Sequence, residues 1–314
     1  MESETFSILK GLYPSCRSNP KGIFENIPCP TCTTAKDRAK KKRFVFAGSL
    51  KSGCWICETQ LTWEELTGQH TMPQRSFIAH SDEPARPPHP YKVNIPCNGD
   101  GVPVNKLCYD HPACKFLHKD HLYNLNRIYN DYGAIYVPLE QGVVVNGKPM
   151  VTSGERLIFP VVMRGELIGW QMRSIPGTKM GDRDGVIKYY HLFDKGSALY
   201  NYDNAKKFKI VIVTEGVKKC WKFPNAVATL GKGISDQQLQ LLQEWACIVF
   251  LYDGEDVTQA KANKIVQQLC IGGYRAINID PRKYGFPSPD EMPEEEANNI
   301  VMKEWNEKYG DYDI

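Results

Sequence analysis

No run of this 314-residue sequence is apolar for long enough to cross a bilayer. The longest apolar stretches lie around Ile210–Val213 and Cys247–Tyr252, lengths suited to buried strands. The opening residues, Met1–Lys10, carry two glutamates and lack the apolar core of a secretory signal. A cytosolic protein with no membrane partner is expected. Self-similarity at a solenoid period is also lacking, which excludes a repeat array. Charge of one sign is scarce overall, with a net of only +3. The eleven cysteines are an odd number, which argues against a disulfide framework and for metal binding or plain core thiols.

What is present is unevenly placed. Residues 33–53 hold seven Lys/Arg against Asp37, a local net of +6, and residues 290–314 hold nine Asp/Glu against Lys303 and Lys308. A basic patch suits a phosphate backbone, and an acidic end suits a solvated or protein-docking tail. Residues 1–70 are rich in cysteine and lysine. Residues 71–95 contain Pro73, Pro84, Pro87, Pro88 and Pro90 and read as a semi-rigid linker. The remainder reads as globular.

Cys29-Pro-Thr-Cys32 and Cys54-Trp-Ile-Cys57 form two C-x2-C pairs with 21 residues between them. Two thiolates on a tight turn share one ion, and two such turns complete a tetrahedral sulfur shell suited to structural zinc. The interval exceeds the usual ~15–20 residues slightly, which a longer hairpin absorbs. Between the pairs, Lys40, Lys41, Lys42 and Arg43 stand beside Phe44 and Phe46, a mix able to hold phosphates and stack bases. Cys97, Cys108, His111, Cys114, His118 and His121 have ligand-like spacings but overlap a helical stripe, and are read as core cysteines and surface histidines.

Residues 107–137 are expected to be helical, with Leu107, Phe116, Leu117, Leu122, Leu125 and Ile128 on one stripe. Arg156–Met163 and Glu166–Arg173 are expected to form a hairpin about Arg164-Gly165. From residue 209, strands and helices alternate: strands at 209–213, 226–230, 248–252 and 274–279, and helices at 217–223, 235–246 and 257–270. Ser235 and Gln238 have capping-box spacing. Such alternation implies a parallel sheet. Glu215 and the run Asp253-Gly-Glu255 fall just past the carboxyl ends of two of its strands, where open α/β sheets place ligands. Three hard oxygens there would hold Mg²⁺.

Glu215-Gly216 and Asp253-x-Glu255 resemble the TOPRIM domain, whose pattern is Glu-Gly followed later by Asp-x-Asp. Glu255 replaces the second aspartate. The preceding Arg156-Leu-Ile-Phe-Pro-Val, Gly165-Glu-Leu-Ile-Gly-Trp-Gln-Met-Arg173, Lys188-Tyr189 and Leu199-Tyr-Asn201 look like the catalytic core of bacterial and phage primases. His111-Pro-Ala-x-x-Phe-Leu117 and Pro289-Asp-Glu291 resemble flanking elements of the same core. The resemblance implies an α+β and α/β multidomain chain. Its parts would be a β zinc ribbon (1–70), the linker (71–95), the N-terminal part of an RNA polymerase core (96–205), a TOPRIM parallel-sheet domain (206–292) and an acidic tail (293–314).

It further implies short RNA synthesis on single-stranded DNA from ribonucleoside triphosphates, in the bacterial cytosol or that of a phage-infected host. Glu215, Asp253 and Glu255 would hold catalytic Mg²⁺ or Mn²⁺. Arg156, Arg173, Lys188, Tyr189, Lys218 and Lys232 would bind nucleotide or template, and Lys40, Lys41, Lys42 and Arg43 the DNA. Lys232 lies in Leu230-Gly-Lys-Gly, which is not a Walker A loop: Ala226 and Gly233 occupy the positions of its first Gly and its Ser/Thr. No helicase motif is found, so a separate replicative helicase is the expected partner, with the tail, helical-looking over Glu294–Tyr309, as a docking candidate. The alternatives are a TOPRIM-type metal-dependent nuclease and a catalytically silent zinc-ribbon DNA-binding protein. A topoisomerase lacks room for its tyrosine-bearing domain.

Overall fold

The computed structural model describes residues 4–19, 23–46, 50–68, 95, 97, 100–118, 124–138, 155–178 and 186–310, and the backbone of two short strands within 139–150. Apart from residue 95, the expected linker lies outside the described residues.

The first unit begins with helix α1 (Glu4–Leu12) and continues through β1 (Arg17–Asn19), β2 (Ile23–Ile27), α2 (Ala35–Ala39), β3 (Arg43–Phe46), β4 (Ser52–Cys54) and α3 (Trp63–Thr67). The strands form one antiparallel sheet in order β1-β2-β3-β4. Leu9, Phe24, Ile27, Val45, Trp63 and Leu66 make a small core. Thr62 and Glu65 cap α3 reciprocally, and Gly68 ends it in the left-handed region.

The second unit contains β5 (Val102–Pro103), α4 (Pro112–His118), α5 (Leu125–Tyr132), β6 (Ile135–Val137), the two-residue strands β7 (Val144–Val145) and β8 (Lys148–Pro149), β9 (Arg156–Met163), β10 (Glu166–Ser174) and β11 (Tyr189–His191). Five strands form an antiparallel sheet in order β11-β10-β9-β6-β5. The hairpin β9–β10 turns at Arg164-Gly165, both at positive φ, as its sequence requires. The single helical stretch expected over 107–137 is instead two short helices and a strand. Asn124 caps α5 at its start, Gly133 stops it at φ 64°, and the apolar Ile135–Val137 then joins the sheet edge-on to β9.

The third unit starts with the short helix α6 (Tyr202–Ala205). It then runs β12 (Ile210–Thr214), α7 (Val217–Cys220), β13 (Ala226–Ala228), α8 (Asp236–Leu242), β14 (Cys247–Phe250), α9 (Asp256–Ile271) and β15 (Arg275–Asn278). All four strands are parallel, in order β13-β12-β14-β15. Their side chains alternate between two cores. Ile210, Ile212, Cys247, Val249 and Ile277 face the antiparallel sheet's Leu157, Phe159 and Val161 in one. Val211, Val213, Ile248, Phe250 and Ala276 enter the other. Burial on both faces is why these strands read as continuous apolar runs.

Residues 293–314 were expected to be a tail. Within them, α10 (Glu294–Tyr309) buries Ala297, Ile300, Val301 and Trp305 in the first of these cores. Glu294, Glu295 and Glu296 occupy its first turn, where carboxylates favour the helix dipole. Among the described residues no helix is long and apolar enough to cross a membrane.

Candidate functional site

Cys29 and Cys32 lie on the turn after β2, Cys54 ends β4, and Cys57 follows one turn later. The four sulfurs lie within 4.8 Å of one another. Cys29 to Cys57 is 3.6 Å and Cys32 to Cys54 is 3.7 Å. Four sulfurs each ~2.3 Å from one tetrahedral ion are about 3.8 Å apart, so the donor set fits zinc. The backbone N–H of Ile56 donates to Cys54 Sγ at 3.5 Å, and the Arg43 guanidinium donates to Cys29 Sγ at 3.2 Å. Burial opposes the Cys29 thiolate, yet hydrogen bonds from Thr31 and Arg43 outweigh it and hold the thiol below its ordinary range. This is the one group of three or more Cys, His, Asp or Glu among the described residues gathered so closely. Cys108, His111, Cys114 and His118 are not: Cys114 is buried, Cys108 is exposed, and the His111 ring packs against Tyr136 at 4.5 Å. Cys97 is half-buried, and His121 lies outside the described residues.

Arg43 departs from its expected place. It is 1% exposed, and its guanidinium donates to Ser52, Thr31 and Thr59 as well as to Cys29. As the first residue of β3 it points into the knuckle and cross-links it, while Lys40, Lys41 and Lys42 are exposed just before the strand. Lys40 pairs with Asp37 at 2.7 Å across α2. Sequence alone could not separate Arg43 from its basic neighbours. The two threonines beside the cysteines, Thr31 and Thr59, were the one trace of a polar second layer.

The second cluster sits at the carboxyl ends of β12 and β14. Glu215 is 7% exposed and accepts the Asp253 N–H at 3.3 Å, so the two strand ends are bonded through a carboxylate. Burial and then the neighbouring Asp253 charge push the Glu215 carboxyl above its ordinary value, with Glu255 adding to the effect. Asp253 pairs with Lys219 on α7. Glu255 is half-exposed and pairs with Lys232. Two ammonium groups thus already lie on two of the three carboxylates, so this edge holds cationic charge. Lys219 was missed in the sequence. It follows Lys218 on the first turn after Glu215-Gly216, a position from which one of two adjacent lysines must face the carboxylates.

A third set of residues lies on β9, β10, β11 and α7. Arg156 on β9 is fully buried and Arg173 on β10 is 7% exposed. Burial and then repulsion from Arg173 push Arg156 down to about 10. Arg156 donates to the Ile187 carbonyl. Lys188 and Tyr189 are exposed at the start of β11, and the Tyr189 ring lies 4.5 Å from the Arg173 guanidinium carbon. Lys218 is half-buried on α7, 4.7 Å from the centre of the Phe116 ring. Arg173, Lys188, Tyr189 and Lys218 are therefore linked through aromatic rings, whereas Lys232 stands with Glu255.

No family model matches the chain. Over 157 residues it is 27% identical to a DNA primase of Borreliella burgdorferi, which covers 46% of this chain and 29% of that protein. Over 126 residues it is 32% identical to a DNA primase of Helicobacter pylori, covering 35% of this chain and 21% of that protein. The chain thus spans less than a third of the length of these relatives. Among solved structures it is similar to the RNA polymerase domain of Mycobacterium tuberculosis primase DnaG, with TM-score 0.46, 18% identity, and coverage of 63% of this chain and 77% of that one. It is also similar to the zinc-binding and RNA polymerase domains of Aquifex aeolicus primase, with TM-score 0.45, 15% identity, and coverage of 98% and 86%.

Proposed function

We propose that the chain is a DNA primase, making short RNA on single-stranded DNA by metal-dependent nucleotidyl transfer. The observation that carries this reading is the meeting of two chemistries at one sheet edge. Carboxylates from β12 and β14 converge there, and two lysines pair with them, Lys219 of α7 with Asp253 and Lys232 with Glu255. A nucleotidyl transferase needs both, and the similarity to bacterial DNA primases points the same way. Glu215 and Asp253, with Glu255 beside them, would hold Mg²⁺ or Mn²⁺, because the donors are hard oxygens and Glu215 is a buried carboxylate that a cation would relieve. When bound, such ions lower the pKa of an attacking hydroxyl and neutralise a triphosphate.

The chain's own residues supply the rest. Arg173 and Lys218 bind phosphate oxygens and set the triphosphate against the carboxylate edge. Lys188 and Tyr189, exposed at the rim, contact the template strand. Lys40, Lys41 and Lys42 project from the zinc-binding unit and hold the DNA backbone. A separate replicative helicase, in the cytosol of a bacterium or of a phage-infected host, would deliver the template.

The test is purified protein with mixed-sequence single-stranded DNA, Mg²⁺ and labelled ribonucleotides. Short labelled RNA is expected. Glu215→Gln should abolish it while DNA binding persists. DNA cleavage without incorporation would instead identify a nuclease, and binding with neither activity a silent binding protein.

A further inference from the structure

One aromatic ring links the antiparallel-sheet unit to the parallel-sheet unit. Phe116 lies on α4, yet the Arg173 guanidinium of β10 sits 5.2 Å from its ring centre and the Lys218 ammonium of α7 sits 4.7 Å from it. Phe116 is half-buried on a seven-residue helix and packs at the margin of the first core. That packing gives no reason to gather two like charges on the ring. The negative face of a benzene ring attracts a cation and offsets the repulsion between two that share it.

Arg173 is also poorly compensated by its other neighbours. Its Nη1 reaches the Ser174 hydroxyl only at 3.4 Å and the Lys188 carbonyl only at 3.5 Å. Its Nε has no hydrogen-bond partner among the described residues. A second guanidinium, Arg156, lies close enough to repel it. A buried cation held by long hydrogen bonds, next to another cation, lacks its counter-charge. An anion supplies it. Lys218 follows Glu215 by three residues at the opening of α7, so this anion would lie beside the carboxylate edge.

From this we infer that Phe116 is a positioning residue: its ring holds Arg173 and Lys218 together as one anion site for the polyphosphate of an incoming nucleotide. The inference rests on the nucleotidyl-transfer reading above, but its consequence for anion binding can be measured without any polymerisation. Phe116 touches neither the carboxylates nor the reacting atoms. It acts through the two cations, with the Tyr189 ring closing on Arg173 from β11.

The probe is inorganic tripolyphosphate, titrated calorimetrically into the intact, zinc-loaded chain without Mg²⁺. Phe116→Leu keeps an apolar side chain and removes the π face, so it should weaken binding by about three- to tenfold, while Phe116→Tyr should bind as the parent does. In primer synthesis, Phe116→Leu should raise KM for ribonucleotides by a similar factor and change kcat less than about twofold. Equal binding by Phe116→Leu and the parent would overturn the inference. So would equal weakening by Phe116→Leu and Phe116→Tyr, or no tripolyphosphate binding by the parent. If Phe116→Leu fails to fold, Lys218→Gln decides: unchanged tripolyphosphate binding overturns the inference, and weakened binding supports it. Ring-dependent tripolyphosphate binding without RNA synthesis would sink the polymerase reading alone. RNA synthesis with ring-independent binding would sink this inference alone.

Discussion

Glu215 holds a charge where the fold least favours one. It is 7% exposed, Asp253 and Glu255 press on it, and Lys219 is the cation that relieves it. Burial and then Asp253 raise its carboxyl above the ordinary 4.5. The folded protein therefore keeps a proton at a pH where the unfolded chain has released it. Stability from this group is fully present below about 4.5 and is lost as pH rises through the folded value. Glu215→Gln removes the loss. In chelator, the variant should melt above the parent at about pH 7.5, and the gap should shrink toward zero below about pH 4.5. A gap independent of pH would show that the carboxylate is not the cause. The position of Glu215 was legible because it follows an apolar strand. Its conflict with Asp253 was not, since that depends on how β12 and β14 pair. Arg43 illustrates the same limit: four neighbouring cations in the sequence look alike, and only the register of β3 against β4 turns this one onto Cys29.

Elements whose signals are local were the easiest to read. Ser235 and Gln238 close a capping box on α8, as their spacing requires. The β9–β10 hairpin needs only its turn and two apolar runs. The alternating strands from β12 to β15 needed only their apolar runs and intervening helices. Elements that owe their state to tertiary contact were misread. Ile135–Val137 is strand because β9 offers a free edge, not because of its own pattern. By contrast, α10 is helical as its sequence suggests, but a few apolar residues anchor it, and acidity hid the anchor. Trp305 is 1% exposed and packs against the Tyr309 ring at 4.8 Å with the two planes tilted by 46°. Trp305→Ala should cost about 3–5 kcal/mol in urea unfolding, the usual range for removing a buried large aromatic. A loss below about 1 kcal/mol, as for a surface residue, would mean that α10 is a tail after all. The acidic outer turn remains exposed, so any partner bound by this end would meet a folded helix.

At the scale of the whole molecule, the zinc-binding unit is packed onto the parallel sheet rather than standing apart. Ile23, Phe44 and Phe46 join the core that holds Val213 and Phe250. Phe46 meets Tyr274 edge-on at 5.1 Å, Lys51 donates to the Gly273 carbonyl at 2.7 Å, and Gln60 donates to the Cys270 carbonyl at 3.1 Å. The approach is so close that glycine is required on both sides. A Cβ on Gly53 would stand 2.1 Å from the Ile271 oxygen, and one on Gly272 would stand 1.8 Å from the Phe46 ring. These contacts lie at the start of β15, whereas Glu215 and Asp253 lie at the opposite, carboxyl ends of the strands. The zinc-binding unit is thus seated at the end of the sheet away from the carboxylates. Gly272→Val tests the seat from outside the zinc-binding unit, at a φ of −79° that valine tolerates. Overpacking of this kind costs about 1–3 kcal/mol. Hydrogen exchange on the intact chain should show residues 43–54 and 270–278 losing protection by about that amount while zinc content stays unchanged. Unaltered protection at both segments would mean that the two units do not share a core in solution.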